Sequence, residues 1–236
     1  DVDMLIPGLA NIDPRLKAPN SVSIFLSGRL TPDATKIKQG QLAIAAMATA
    51  YKLAKKNNKP KASLKKPKIT LRGVSFEAEK GDTEGLDISA SELSLNQFAE
   101  KYAKAQLTIK ALPYTENRTD LFNQLNRASI AAMPSWHEGF GLVGWEAIAA
   151  GVPLILSKES GLYEFLKLKL KSIDLDDVWA LNINGSSSEP YFNAEDLDNI
   201  TEAINDISED LSKAKDKALR LRDNLMDYTW TACAES

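Results

Sequence analysis

Two acidic residues, Glu138 and Glu146, are the side chains in this sequence whose spacing best suits a chemical task. They flank a glycine-rich turn, Gly139-Phe140-Gly141, which is followed by small residues typical of a helix. Glu138 would lie in the loop and Glu146 about two helical turns further along. Because the first N–H groups of a helix have no partner within it, this arrangement favours an anion beside the two acids.

The residues around this turn predict a strand, a loop, a helix and a second strand. An apolar run at residues 129–133 precedes the turn, the helix runs to Gly151, and a further apolar run follows. Elsewhere apolar runs without strict alternation also alternate with helical patterns, which predicts a parallel sheet with helices on both faces. The expected fold class is therefore α/β, a Rossmann-like sheet in a single domain, residues 1–236.

The other expected elements follow from apolar spacing and capping residues. We predict strands at 22–27, 69–74, 107–112 and 178–183, and helices at 36–56, 91–104, 118–127, 194–208 and 211–226. The lysine-rich residues 52–68 are interpreted as a helix end and linker, and the acidic residues 77–89 as a surface excursion. Ligands of such sheets bind beyond the carboxyl ends of the strands, where Arg29, Glu138 and Ser157 are expected.

Composition excludes several functional classes. Lys and Arg (29) nearly balance Asp and Glu (32), so nothing indicates a nucleic-acid-binding surface. A single cysteine excludes an internal disulfide, and no long apolar run or signal-peptide pattern is present, so we predict a cytoplasmic protein. With one histidine, one cysteine and no Asp-x-Asp motif at a strand end, we expect no metal.

Residues 133–157, MPSWHEGFGLVGWEAIAAGVPLILS, resemble the E-x7-E motif of retaining nucleotide-sugar glycosyltransferases of family four, which have the GT-B fold. Gly28-Arg29-Leu30 is similar to that family's GRL at the end of its first donor-domain strand. The resemblance implies that the chain is the C-terminal, donor-binding half of a GT-B enzyme and that the N-terminal acceptor domain lies outside it. It implies hexosyl transfer from a UDP- or GDP-sugar, without a cofactor or metal, by a larger protein. It also implies that this chain is inactive by itself.

The resemblance also implies roles for individual residues. Arg29 and one lysine, Lys36 or Lys38, would neutralise the diphosphate; Lys36 ranks slightly first because its spacing from Asp33 resembles some members. Glu138 would accept hydrogen bonds from sugar hydroxyls, and Glu146 would accept them from the ribose. The sugar- and phosphate-binding set is Arg29, Lys36, Lys38, Glu138, Gly139, Phe140, Gly141, Leu142 and Val143, and the candidate base contacts are Tyr114 and Arg118.

Three alternatives stay open with different weight. Departures from the family at residues 71–74 and 111–114 leave the base undetermined and favour, as second choice, a non-catalytic module that senses a nucleotide or nucleotide sugar. A hydrolytic pair of Glu138 and Glu146 is disfavoured, since an acid at the ribose is too far from the anomeric carbon. A GT-B epimerase is disfavoured because that group lacks this motif.

Overall fold

All strands of the central sheet run parallel. The computed structural model describes residues 14, 17–30, 35–56, 64, 67–74, 95–101, 104, 107–170, 174–188 and 190–228. These residues form one six-stranded sheet in the order β3-β2-β1-β4-β5-β6. The strands are β1 (Ser23–Leu30), β2 (Lys68–Val74), β3 (Thr108–Leu112), β4 (Ile130–Met133), β5 (Leu154–Ser157) and β6 (Trp179–Leu181). This order, which changes direction between β1 and β4, is that of a Rossmann-like sheet, so the predicted α/β fold is confirmed.

Helices lie on both faces of the sheet. They are α1 (Thr35–Lys38), α2 (Gly40–Lys56), α3 (described at residues 95–101), α4 (Arg118–Leu125), α5 (Leu142–Ala149), α6 (Gly161–Lys169), α7 (Ala194–Glu209) and α8 (Leu211–Asp223), with a 3₁₀ turn at Asp174–Asp177. Helices α2, α3 and α7 bury apolar side chains on one face, against Ile24 and Leu26 of β1. Helices α4, α5, α6 and α8 pack on the second face, where Phe25 points. No helix among the described residues is both long and apolar enough to cross a bilayer.

Charged side chains of α8 fix the position of α5. Arg222 Nε donates to the Ala149 carbonyl at 3.0 Å, and the buried Lys215 ammonium donates to the Gly151 carbonyl. Because the last carbonyls of a helix have no partner within it, these bonds satisfy groups that would otherwise be costly to bury. Helix α5 is therefore held at its carboxyl end, opposite the turn that carries Glu138.

Two sequence predictions about the first strand and helix need correction. The strand predicted to end at Ser27 continues to Leu30, so Arg29 lies in the last part of β1 and not beyond it. The single helix predicted from Lys36 is broken at Gln39, which has φ +56°. The Gln39 side chain donates through Nε2 to the Tyr191 carbonyl at 2.8 Å. This contact with a distant segment supports a left-handed residue that interrupts the helical ladder.

The remaining element predictions hold within a few residues. The predicted cap Asn117 accepts hydrogen bonds from the Thr119 and Asp120 amides and begins α4, as its residue type favours. Helix α4 ends at Leu125, before the expected Arg127, and β6 is shorter than the predicted strand at 178–183. The expected surface excursion at 77–89, the predicted start of the helix at 91 and linker residues 57–63 lie outside the described residues.

The second sheet face is built differently on its two sides. Strands β4 and β5 are buried throughout, and their side chains on this face pack beneath α5 and α6. In β2 and β3 the same face carries Lys68, Thr70 and Lys110, and both lysines are exposed. Thr70 pairs with Lys110 and with Phe25, which places these residues on one face. We call the β4–β5 side the covered half and the β2–β3 side the open half.

Candidate functional site

The turn between β4 and α5 is shaped by close backbone contacts. Gly141 caps α5 with φ +96°, and a Cβ at this position would lie 2.6 Å from the Met133 Cε atom. Only glycine meets both requirements without strain. The N-terminus of α6 clamps the turn: the Gly161 amide donates to the Gly139 carbonyl and the Leu162 amide to the Phe140 carbonyl, each at 2.6 Å.

The clamped turn leads directly into the first residues of α5. Helical geometry leaves the first N–H groups without intrahelical acceptors. Leu142 at this end is 54% exposed, and both Leu142 and Val143 border a cleft. This part of α5 therefore offers fixed N–H donors to an anion.

Glu138 lies where the turn meets α1 and the end of β1. Its Oε2 atom accepts from the Lys38 ammonium and from the Ser135 hydroxyl, the latter at 3.1 Å. The Trp136 amide donates to the Ile37 carbonyl at 2.8 Å, which joins the turn to α1. The Lys38 stem runs past Gly28, where a Cβ would be 3.4 Å from Lys38 Cδ. The turn, α1 and β1 thus bring a cation and a carboxylate together over the carboxyl edge of the sheet.

Glu146 projects from α5 into a different environment. Its side chain is 14% exposed, and the Arg118 guanidinium of α4, which is itself 64% exposed, lies 3.6 Å away. Burial raises the pKa of the Glu146 carboxyl above its ordinary value, and Arg118 partly opposes this. A carboxylate that has lost part of its hydration gains more from a ligand hydroxyl than a fully hydrated one does.

A cleft of about 480 Å³ opens beside Glu146, between α5 and the ends of β1 and β2. Its walls come from β1, β2, the loop after β3, α4 and α5, and they consist of Ser27, Gly28, Arg72, Tyr114, Thr115, Glu116, Asn117, Arg118, Leu121, Leu142, Val143 and Glu146. This is the point where the strand order changes direction, the expected ligand position in such sheets. The two acids flank the N-terminus of α5, with Glu146 in the cleft wall and Glu138 on the Lys38 side.

Arg72 of β2 is a cleft residue that the sequence analysis missed. It is 8% exposed, and its guanidinium donates to Gln124 Oε1 at 2.8 Å and to the Pro113 carbonyl at 3.0 Å. Burial lowers the pKa of Arg72, and the charge of Asp120 opposes this shift. An arginine among otherwise uncharged strand residues, Ile69 to Val74, is the sequence signal that could have identified it.

A family model matches the whole chain, residues 1–236, and describes a family 4 glycosyltransferase in conflict systems. The chain belongs to this glycosyltransferase family. The resemblance stated from the E-x7-E and GRL residues is thereby confirmed, and the parallel sheet agrees with the donor half of a GT-B fold.

The chain is similar to a curated protein in sequence and to several solved structures in fold. Glycogen synthase of Mycobacterium tuberculosis is 31% identical over 119 residues, which is 50% of this chain and 25% of that protein. Staphylococcus aureus TarM, solved in a complex that includes UDP, superposes with a TM-score of 0.62 at 15% identity over 97% of this chain and 37% of TarM.

Two further structures are similar. Anabaena HepE, solved with UDP and glucose, superposes with a TM-score of 0.58 at 17% identity. The match covers 92% of this chain and 47% of HepE. A UDP-forming trehalose-phosphate synthase from Burkholderia xenovorans superposes with a TM-score of 0.57 at 15% identity. The match covers 92% of this chain and 42% of the synthase. At these identities the likeness shows the fold alone. The glycosyltransferase chain spans less than half the length of each of these proteins.

The predicted site residues of this glycosyltransferase fall into three groups. Leu142, Val143, Glu146, Tyr114 and Arg118 all line the cleft, with Tyr114 75% exposed. Their binding roles stay predictions.

The second group surrounds the turn. Lys38 and Glu138 form an ion pair, and Gly139 and Gly141 shape the backbone. The Phe140 ring packs against Trp145 and Phe165, with centroids 5.9 and 6.0 Å away, so this side chain anchors the turn in the core.

The third group has no described side chain. Arg29 and Lys36 lie in β1 and α1, but the structure describes only their backbone, so the ranking of Lys36 over Lys38 stays a prediction. In the described part of this glycosyltransferase, no three His, Cys, Asp or Glu side chains are grouped so that they could hold a metal ion.

Proposed function

We propose that this chain is the donor-binding domain of a retaining hexosyltransferase that uses a UDP- or GDP-sugar. The observation that carries the proposal is the placement of Glu146, the α5 N-terminus and the Lys38–Glu138 pair around one edge of the sheet. Membership of the glycosyltransferase family supports it.

The cleft beside Glu146 suits a nucleoside. The Glu146 carboxylate, which burial has partly desolvated, would accept hydrogen bonds from the two ribose hydroxyls. Tyr114 and Arg118 would border the base, and the buried Arg72 guanidinium would form the cleft wall beside it. This assignment needs the nucleoside to lie between α5 and the loop after β3.

The N-terminus of α5 suits the diphosphate. When the glycosidic bond breaks, negative charge grows on the leaving diphosphate, and fixed donors aimed at it stabilise the transition state. The amides of Leu142 and Val143 and the Lys38 ammonium would perform this task, and Arg29 and Lys36 are the further candidates. In this proposal these groups take the place of a metal ion.

Glu138 would hold the transferred sugar. Its described hydrogen bonds both fall on Oε2, and among the described residues no donor to Oε1 is found. A carboxylate oxygen accepts readily from sugar hydroxyls. Both acids thus act as binding groups, and the acceptor would bind to an N-terminal domain outside this chain, without which the chain would not turn over the donor.

Isothermal titration calorimetry with UDP, GDP, UDP-glucose and GDP-mannose tests the proposal. UDP is the first ligand to try, because TarM and HepE were solved with it. We expect Glu146→Ala to weaken both nucleotide and nucleotide sugar by about tenfold or more, as for a lost hydrogen bond to a charged group. Glu138→Gln should weaken the nucleotide sugar more than the nucleotide, because only the sugar is held by Glu138 itself, and addition of EDTA should change neither affinity.

The matched control is Glu202→Ala, at an exposed position of α7 on the opposite sheet face. It should leave every affinity unchanged. The proposal fails if the chain binds none of these ligands, or if Glu146→Ala binds them as the unaltered chain does.

A second candidate is a non-catalytic module that senses a nucleotide or nucleotide sugar. The loop after β3 favours it, since Pro113 accepts a hydrogen bond from Arg72 at a place where the family often has glycine. Adding the native N-terminal half and measuring release of UDP from UDP-glucose separates the two candidates. Turnover would exclude the sensor, and tight binding without turnover would favour it.

A further inference from the structure

A second pocket lies on the open half of the sheet, away from the N-terminus of α5. It has a volume of about 250 Å³ and is lined by Pro19, Ser21, Ser23, Ile24, Phe25, Lys68, Thr70, Lys110, Leu112, Gln124, Arg127 and Ala128. The Arg72–Gln124 hydrogen bond separates it from the cleft, because Arg72 lines the cleft and Gln124 lines this pocket. The two cavities are therefore neighbours with different walls.

The charge of this pocket is entirely positive among its described lining residues. Lys68 comes from β2, Lys110 from β3 and Arg127 from the segment after α4, and all three are exposed. No aspartate or glutamate occurs in the described lining. Like charges around one concavity repel each other, and an anion bound among them removes that repulsion.

The uncharged polar groups of the pocket add hydrogen-bond donors. The hydroxyls of Ser21 and Thr70 can donate. Gln124 Oε1 already accepts from Arg72 Nε at 2.8 Å, so the other polar atom of this side chain, Nε2, is a donor. Ser23 Oγ donates to the Arg127 carbonyl at 3.3 Å and so fixes the backbone of Arg127 beside β1.

The position of these groups is unusual for the fold. Both faces of a parallel sheet are normally covered and apolar. Here Lys68, Thr70 and Lys110 occupy the second face of interior strand β2 and edge strand β3, next to the buried Phe25. The apolar side chains of α4, Leu121, Phe122 and Leu125, pack into the cluster under α5 and α6 instead.

We propose that this pocket binds a phosphate group, either free or at the end of a small phosphorylated molecule. Phosphate matches the pocket because it combines more than one negative charge with several acceptor oxygens, which lysine, arginine and hydroxyl donors satisfy together. The volume corresponds to about eight water molecules at liquid density, room for a phosphate or pyrophosphate group. The site is distinct from the nucleotide cleft and does not depend on its function.

Nuclear magnetic resonance titration of the ¹⁵N-labelled chain tests the site. Inorganic phosphate, pyrophosphate and glycerol 3-phosphate are added in separate experiments at constant ionic strength. We expect saturable shifts of backbone amides in β1, β2 and β3 around Lys68 and Lys110, and the tightest of the three ligands identifies the source of the phosphate. The Lys68→Gln, Lys110→Gln double variant should weaken binding by about tenfold or more.

The control is a double variant with the same change of charge, Lys52→Gln with Lys56→Gln, at exposed positions of α2 on the other sheet face. It should change the affinity by less than about twofold, because screened charges at a distance contribute little. The proposal is overturned if no ligand gives saturable shifts in β1 to β3, or if both double variants weaken binding equally. Shifts confined to residues 138–146 would also overturn it. None of the three titrations contains a nucleotide, so their outcome is independent of donor binding.

Discussion

On the same parallel backbone, the covered half of the second sheet face is apolar and the open half is polar. In the covered half, β4 and β5 are buried and Phe165 of α6 is 1% exposed, in contact with the rings of Trp145 and Phe140. In the open half, β2 and β3 direct lysine, threonine and arginine side chains to the same side. Apolar packing fixes positions on one side, while the other side carries polar side chains, among them two exposed lysines.

Glu146 lies at the boundary between the two halves. Helix α5, which carries it, belongs to the covered half, and the opposite wall of the cleft comes from β2 and the loop after β3. The apolar packing of the covered half can hold α5 in one position, while residues of the open half form the opposite wall of the cleft. The comparison predicts large effects on stability in the covered half, intermediate effects at the turn and small effects in the open half.

The largest expected effect is that of Phe165→Ala. Removing this buried ring from contact with Trp145, Phe140 and Tyr228 leaves a cavity and should lower the free energy of unfolding by about 3–5 kcal/mol. Urea denaturation followed by circular dichroism measures this. Leu168→Ala, on the same helix but 78% exposed, should change stability by less than about 0.5 kcal/mol. Similar losses in both variants would contradict the packing described for α6.

The two glycines of the turn should differ in their tolerance of alanine. Gly141→Ala places a Cβ 2.6 Å from Met133 Cε at φ +96° and should cost roughly 1–3 kcal/mol. At Gly139 no atom lies within 4 Å of an added Cβ, and Gly139→Ala should cost less than about 0.5 kcal/mol. Thermal and urea unfolding of the pair gives the comparison. An equally stable Gly141→Ala would show that the turn is not constrained as described.

The pKa of Glu146 gives stability a pH dependence at the boundary. Burial raises this pKa in the folded chain above its unfolded value, so the folded state holds the proton more tightly. The free energy of unfolding should therefore fall as pH rises from the unfolded pKa, about 4.3 for glutamate, through the folded pKa. Glu146→Gln should lose this decrease and become progressively more stable than the unaltered chain over that range.

Arg118→Met sharpens the test, because Arg118 opposes the shift and its removal should raise the pKa of Glu146 further. The fall in stability should then extend to higher pH. Urea denaturation at several pH values from about 4 to 8 would reveal it. If the free energy of unfolding varied with pH in the same way for the unaltered chain, Glu146→Gln and Arg118→Met, the Glu146 carboxyl would not be desolvated.

The smallest expected effect is that of Lys110→Gln in the open half. Its side chain is exposed on β3, and surface substitutions of this kind change stability by less than about 0.5 kcal/mol. A loss above about 1 kcal/mol in urea denaturation would indicate that this lysine is packed, and the distinction between the two halves would then fail.

The strands and helices were predictable from the sequence where a local pattern of residues favours one kind of element. The apolar runs at β4 and β5 are short and bounded by turn residues, which favours buried strands, and Asn117 caps α4 through its own neighbours. The helix break at Gln39 was not predictable, because its partner, Tyr191, is 152 residues away. Arg72 was missed for the same reason, since Gln124 and Pro113 come from later elements.

The sequence by itself determined the family, the alternation of strands and helices, and the two acids around a glycine turn, since these depend on residue types at short spacing. Tertiary structure decided which groups meet: Lys38 with Glu138, 100 residues apart, and Arg118 with Glu146 across a cleft. It also decided that β2 and β3 leave their lysines uncovered. The physical reason is that burial and ion pairing depend on the packing of distant elements, which spacing along the chain does not encode.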